Sequence, residues 1–398
     1  MTDKDFAIEY VCAKRMHQSF TIPGTDARKP LRITYAVAGL ENDDAPTVVF
    51  ISGMYGMRWV ALLWHHIALK VGVRVVCVDR PSFGGSTPVP LGDRLDTWLL
   101  TLPALVEHLG CKHIVPLGAS AGTVYLLNTL YQLPHLLPPN DPYAAILTPW
   151  VHPRDSGAAV MSFVASDWMP KTLVANHWDN LSGFIATKIM PGFAASGGVI
   201  EGLAALGAGL SNPVSGGRKR EEKEEEDEAS AMKAFGMSRA RKELVSNMGL
   251  KFMFAEETSG ANAEALLCSK KGTEEEVGWG VCDDYRTFVP ALADKFVDIA
   301  EARQGRDAQL AKLRVRAYFA EDDAMIGEGG RAYFEDCWKS RRCGEGIEFR
   351  GEVVPGTTHD SIGDPENGVL ERVLREARKA LEGGGEAGEG INSSVHNP

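Results

Sequence analysis

A serine set among small residues, Gly118-Ala119-Ser120-Ala121-Gly122, closes a short apolar run that starts at His113, and helix-like residues continue to Thr129. G-x-S-x-G is the pattern of a nucleophile elbow. A strand turns abruptly into a helix, glycines two before and two after the serine (Gly118 and Gly122 here) admit neighbouring backbone, and the hydroxyl stands exposed. Alone the pattern is weak, because Gly and Ser are common. Its weight comes from downstream, where an acidic run, Glu321-Asp322-Asp323, and then His359 each follow a strand-like stretch. A serine hydroxyl is a poor nucleophile at neutral pH. An imidazole has to take its proton and return it to the leaving group, and a carboxylate has to orient that imidazole and stabilise its charged form. The residue types for acyl transfer are therefore present, scattered along the chain.

The rest of the composition narrows the class. With 398 residues and 44% hydrophobic content the chain can bury a substantial core. A formal net charge of −11 argues against a general nucleic-acid binder, which needs a basic face. No stretch approaches the roughly 18 uninterrupted apolar residues of a membrane span, and the charged start Met1-Thr-Asp-Lys-Asp-Phe6 lacks a signal-like apolar segment. No peroxisomal or retention signal ends the chain, so a cytoplasmic location is expected. Seven cysteines (Cys12, Cys77, Cys111, Cys268, Cys282, Cys337 and Cys343) are odd in number and without C-x-x-C spacing, which suggests neither a disulfide framework nor a zinc site. His65 and His66 lack a third ligand at matching spacing and are expected to be structural, as is His113. No metal and no cofactor are implied.

The elements that must carry these residues alternate. Ser19–Ile22 and Leu31–Val37 are expected to form an opening hairpin, and Thr47–Ile51, Val73–Val78, the run into Ser120 and Tyr143–Thr148 read as strands buried on both faces. Helices are predicted over Trp59–Lys70, Arg94–Leu109 and the stretch after the elbow. This βαβ rhythm is that of an open, mostly parallel sheet, which binds ligands at the carboxyl ends of its strands. From about Pro149 the rhythm stops until Leu313–Phe319, and Ile347–Val354 supplies another strand. The intervening residues are too many for a loop. They hold helical stretches at Ile185–Leu210, Ala229–Gly249 and Cys282–Arg303, and a charge block at about 214–230 is expected to be a disordered linker. Leu370, Val373, Leu374, Ala377 and Leu381 at helical spacing predict a last helix packed on the sheet. Residues 383–398 are expected to be a disordered tail.

The order Ser120, acid, His359, each after a strand, is that of the α/β-hydrolase superfamily, and the chain resembles a serine-nucleophile, esterase- or lipase-like member over roughly residues 30–150 and 310–382. Asp79–Ser86 is similar to the family loop D-R-x-G-x-G-x-S, with Ser82 in place of the first glycine. The resemblance implies an α/β fold: a mostly parallel central sheet flanked by helices, with a mainly helical cap inserted after the sixth strand. The core would be residues 1–150 and 311–382, and the cap 151–310. From the residues alone the acid is open among Glu321, Asp322 and Asp323. The family loop G-x-x-D-x-x-[VI] aligns Ala320, Asp323 and Ile326, implying Asp323, with Asp322 the alternative and Asp155 a distant third. The elbow supplies one oxyanion donor, the N–H of Ala121. The family's second donor follows an H-G pair, here Ser52-Gly53, which implies Met54.

The implied activity is a cofactor-independent serine hydrolase that cleaves an ester or related carbonyl compound of small to medium size through an acyl-enzyme. A C–C bond hydrolase with the same triad, or a slow-turnover ligand receptor on the same fold, are the alternatives. Epoxide hydrolases and haloalkane dehalogenases share the cap, but their family nucleophile is an aspartate. Arg58 and Trp59 lie near the oxyanion loop, and Trp168 and Trp178 fall in the cap, each either lining a pocket or packing. The partner expected is a small-molecule substrate, and no pattern fixes its identity or the oligomeric state.

Overall fold

The computed structural model describes residues 1–158, 171–172, 174–176, 178, 217–303 and 311–383, the backbone alone at 217–224. Its strands are β1 Gln18–Ile22, β2 Leu31–Gly39, β3 Thr47–Ile51, β4 Arg74–Val78, β5 Val115–Ala119, β6 Tyr143–Leu147, β7 Leu313–Asp322 and β8 Ile347–Thr358. They form one sheet in the order β1-β2-β4-β3-β5-β6-β7-β8. The β1–β2 and β2–β4 pairs are antiparallel and all the others parallel.

Every residue of β3, β4 and β6 is buried, which is why these strands read as unbroken apolar runs. Alternate side chains serve two cores. Val49, Ile51, Val76 and Ile146 meet the helices Arg94–His108, Gly122–Gln132 and Tyr285–Arg303 through Trp98, Leu102, Val124, Leu127 and Phe288. Val48, Phe50, Val75 and Leu147 face the helices Asp3–Val11, Ala61–Val71 and Val369–Leu381. The last helix buries Val369, Leu370, Val373, Leu374, Ala377 and Ala380 along one stripe. Each such fully buried aliphatic side chain is worth about 1.5–3 kcal/mol, enough to tie the C-terminal helix to the sheet that carries the site.

Within residues 151–310 the described helices pack on different parts of the molecule. The helix Tyr285–Arg303 puts Phe288, Val289, Leu292 and Phe296 into the same core as the strands, joined there by Leu267, Cys268, Trp279 and Cys282. Helices Gly217–Phe235 and Arg239–Met253 pack against the helices Ala61–Val71 and Asp3–Val11 on the flank of the molecule. Within the charge block at about 214–230, the described residues belong to the helix Gly217–Phe235. Glu and Lys are good helix formers, and a charge run becomes a helix once its end is anchored. Here Ala231, Ala234 and Phe235 are buried, and Arg239 bonds back to Asp227 at 2.7 Å. The helix expected over Ala229–Gly249 breaks at Gly236, whose φ of +66° ends one helix, and Ser238 caps the next. Ile185–Leu210, Trp168 and the tail from 384 lie outside the described residues. No helix among the described residues is long and apolar enough to cross a membrane.

Candidate active site

Ser120 sits between the end of β5 and the helix Gly122–Gln132 with a φ of +49°. For a residue with a Cβ this conformation costs on the order of 1–3 kcal/mol and persists only where the surroundings impose it. They do: the Ser120 N–H donates to the Leu147 carbonyl of β6 at 3.0 Å, and the Ser120 carbonyl accepts from Thr123 at 2.9 Å. Gly122 is required by close approach. A Cβ there would lie 2.0 Å from the Ile51 carbonyl oxygen, so the helix can start only against the end of β3 if this position is bare.

The three residues predicted to do chemistry meet at the carboxyl edge of the sheet. Ser120 Oγ is 2.8 Å from His359 Nε2, and His359 Nδ1 is 2.9 Å from both Asp323 oxygens. A carboxylate only accepts hydrogen bonds, so Nδ1 carries the hydrogen and Nε2 is left to accept from the serine hydroxyl. Asp323 Oδ1 also accepts from the backbone of Met325 at 3.0 Å and Ile326 at 2.9 Å, which fixes the carboxylate before the imidazole arrives. Burial by itself would lower the His359 pKa, but the hydrogen bond and charge of Asp323, helped by Asp360, hold it above the ordinary imidazole value. Asp322 is exposed, and it pairs with Thr358 in the β7–β8 ladder. Glu321 accepts from the Gly356 N–H at 2.8 Å. Asp155 lies 3.9 Å from Arg286. Of the acidic candidates, Asp323 is the one in contact with the histidine.

The Ser52-Gly53-Met54 loop follows β3 and lies against the elbow, where a Cβ on Gly53 would be 3.3 Å from Ser120 Cβ. Among the described residues neither the Ala121 nor the Met54 N–H is donated to a protein acceptor. Such an arrangement can supply two donors to an oxygen that becomes charged beside Ser120. The loop is gripped from behind by Arg80, which donates from Nη1 to the Ser52 carbonyl at 2.6 Å and from Nη2 to the Gly53 carbonyl at 2.5 Å.

Ser120 and His359 open onto a cavity of about 390 Å3, whose walls include Met54, Leu63, Trp64, Trp178, Met325 and Ile362. Trp64 is held by its indole N–H to the Gly363 carbonyl at 3.0 Å. Sequence patterns gave no reason to single out Trp64 as a wall. Trp178, in the insertion, also lines the cavity. Arg58 and Trp59 do not line it. Arg58 is buried between Asp79 at 2.7 Å and Glu256 at 2.6 Å, and the Trp59 indole N–H also donates to Glu256. His65 Nδ1 accepts from the Gly39 N–H and from Arg15, and burial, with the charges of Arg15 and His66, pulls its pKa down to about 4, so it is a neutral packing group. Ser82, standing where the family loop has glycine, keeps a left-handed φ of +65°.

Sequence reasoning missed Glu264. It is fully buried on the helix Gly260–Cys268, and its Oε1 accepts from Arg80, Arg94 and Tyr125 at 3.0, 2.5 and 2.8 Å. Burial would raise its carboxyl pKa, but the two guanidinium groups and these hydrogen bonds hold it below the usual range. The available signal was a lone charge inside the apolar stretch Ala261–Cys268.

No protein-family model matches the chain, and no curated protein does. Solved structures with a similar fold exist at low identity. A membrane phospholipase A described as a bacterial virulence factor is 12% identical, with 96% of this chain and 92% of that chain covered and a TM-score of 0.50. An epoxide hydrolase from Vigna radiata is 13% identical, covering 92% of this chain and 98% of its own, at a TM-score of 0.49. An esterase from Thermogutta terrifontis is 14% identical, covering 92% and 99%, at 0.47. At such identities likeness speaks to architecture alone. Together with the strand order, the crossover pattern and the strained turn after β5, the likeness to the phospholipase A structure shows one thing: the chain has an α/β-hydrolase fold.

Proposed function

We propose that the protein is a serine hydrolase that cleaves esters, or closely related carbonyl compounds, through an acyl-enzyme. One observation carries the reading: a serine hydroxyl on a left-handed turn, 2.8 Å from an imidazole whose other nitrogen is held by a carboxylate, at the mouth of a largely apolar cavity. Ser120 Oγ attacks the carbonyl carbon as His359 Nε2 takes its proton. The carbonyl oxygen becomes an oxyanion, met by the N–H groups of Ala121 and Met54. Collapse of the tetrahedral intermediate expels the alcohol with the proton from His359 and leaves Ser120 acylated. Water, deprotonated by the same histidine, then releases the acid. Asp323 keeps its hydrogen bond to Nδ1 and stabilises the imidazolium.

The walls support a substrate with an apolar acyl or alcohol portion of modest size. Trp64, Trp178 and Ile362 offer no charged group to a polar chain, and Asp364 in the lining disfavours an anionic one. Residues between β6 and the helix Tyr285–Arg303 act as the cover, a reading supported by Trp178 in the wall. A fluorophosphonate reagent is expected to label Ser120, with turnover of p-nitrophenyl esters peaking at an intermediate acyl length. Folded wild-type protein that resists labelling and hydrolyses no member of that series defeats the proposal.

A further inference from the structure

The serine-hydrolase reading needs the Met54 N–H to point at the reacting oxygen, yet residues 52–54 form a loop with no strand to fix it. The grip on that loop comes from an unexpected place. Arg80 spends its two terminal nitrogens on the carbonyls of Ser52 and Gly53, and its Nε on Glu264, which the insertion contributes. We infer that Arg80, anchored by Glu264, is a positioning residue for the oxyanion donor. The inference rests on the serine-hydrolase reading.

The Gly53 carbonyl and the Met54 N–H belong to the same peptide group. In a trans peptide these two point in opposite directions. Clamping the carbonyl oxygen to a buried guanidinium therefore turns the N–H away from Arg80, toward the side where Met54 lines the cavity. A flipped peptide would forfeit a charge-assisted hydrogen bond and leave a buried guanidinium nitrogen short of an acceptor. The same bond draws electron density from the amide and makes its N–H a better donor.

Glu264 extends this control to the other donor. Its Oε1 also accepts from the hydroxyl of Tyr125, on the helix that begins at the elbow and carries Ala121 as its N-cap, and the Arg80 guanidinium lies 4.6 Å over the Tyr125 ring. Arg94 completes the cluster from the helix Arg94–His108, donating to Glu264 and to the Pro81 carbonyl. One carboxylate oxygen from the insertion thus references both halves of the oxyanion site. The cluster's two guanidinium groups and one carboxylate leave a net positive charge behind the loop, of the sign that favours a developing oxyanion. Arg80 and Glu264 do not line the cavity, so they act through the loop and the helix without touching substrate.

The test compares wild type with Arg80→Lys, Arg80→Met, Glu264→Gln and Tyr125→Phe, using p-nitrophenyl butyrate, its ether isostere as a ground-state mimic, and a trifluoromethyl ketone as a tetrahedral mimic. Removing one oxyanion donor outright costs about 10²–10³ in kcat, so misaiming one is expected to cost about 10–100-fold for Arg80→Met and less for Arg80→Lys. KM and ether binding should stay within about threefold, while trifluoromethyl ketone affinity falls in step with kcat/KM. A purely structural role would lower the melting temperature and leave that split unmoved. Folded variants that keep kcat within twofold overturn the inference. If Arg80→Met fails to fold, Glu264→Gln and Tyr125→Phe decide it by the same criterion. Wild type that neither labels with fluorophosphonate nor turns over ester overturns the hydrolase reading and this inference with it; an active wild type with unaffected variants overturns the inference alone.

Discussion

Asp323 and Glu264 are both carboxylates held by several hydrogen bonds, and they are built for opposite ends. Asp323 stands at the end of β7, beside a cavity, and its partner is an imidazole whose proton can move. Glu264 lies among Arg80, Arg94 and Tyr125 with nothing exposed, its partners two guanidinium groups and a phenol hydroxyl. The difference between them is access and partner, not charge. A carboxylate that meets a histidine at a cavity mouth can take part in turnover, whereas one locked between guanidinium groups holds segments together.

This contrast can be broken experimentally, beginning where the effect is largest. Ser120→Ala is expected to lower kcat by about 10⁵-fold or more, as loss of a triad nucleophile does elsewhere. Its chemical melt should shift by no more than about 0.5 kcal/mol, because alanine keeps the Cβ and with it the elbow strain. Asp323→Asn should cost about 10⁴-fold in kcat, because the neutral amide favours the wrong imidazole tautomer. Asp322→Asn, changing an exposed neighbour, should stay near wild type. Equal losses from the two would erase the distinction drawn between them.

Glu264→Ala is expected to cost stability as well as rate. Leaving two buried guanidinium groups without their carboxylate costs about 3–5 kcal/mol, read as a lowered denaturant midpoint. Glu256→Ala removes a partner of Arg58 that is partly exposed, and Asp79 remains, so its cost should be clearly smaller. A Glu264→Ala protein as stable as wild type would mean that the buried cluster holds nothing together.

The smallest effect is on pH. Because His359 must be neutral to accept the serine proton, kcat/KM should rise with pH and level off only above a pKa displaced upward from the usual imidazole range. Asp360→Asn removes one of the charges that raise it, and should move the ascending limb to lower pH. The linked stability has the opposite course. A histidine with a raised folded-state pKa contributes its stabilisation fully below the unfolded pKa and loses it as pH climbs through the folded one. An ascending limb at or below the ordinary value would contradict the Asp323 contact.

Much of the frame was legible because its signals are local. Unbroken apolar runs at Thr47–Ile51 and Tyr143–Leu147 can be satisfied only by strands covered on both faces, and four of the five stripe positions expected in the last helix, Leu370, Val373, Leu374 and Ala377, are buried, Leu381 being half-buried. The insertion was less legible. A charged run such as Glu221–Glu228 has the composition of a solvated linker and of a helix alike, and the choice depends on whether Phe235 and Ala231 find a surface to bury against. Likewise Tyr285–Arg303 has the mixed amphipathy of any surface helix, and only its docking on the sheet assigns it to the core.

By itself the sequence determined the order of the strands along the chain, the small residues of the elbow and the presence of serine, acid and histidine after three different strands. Those are properties of short windows, where period, turn chemistry and side-chain size suffice. Tertiary structure decided which carboxylate meets His359: Asp322 ends β7, paired with Thr358, while Asp323, one position on, contacts the imidazole. It also decided that Glu264 anchors the arginine that grips the Ser52-Gly53-Met54 loop, 184 residues from Arg80. No local pattern links such distant positions. The energy of burying a carboxylate becomes acceptable only when the folded chain brings two guanidinium groups to the same oxygen.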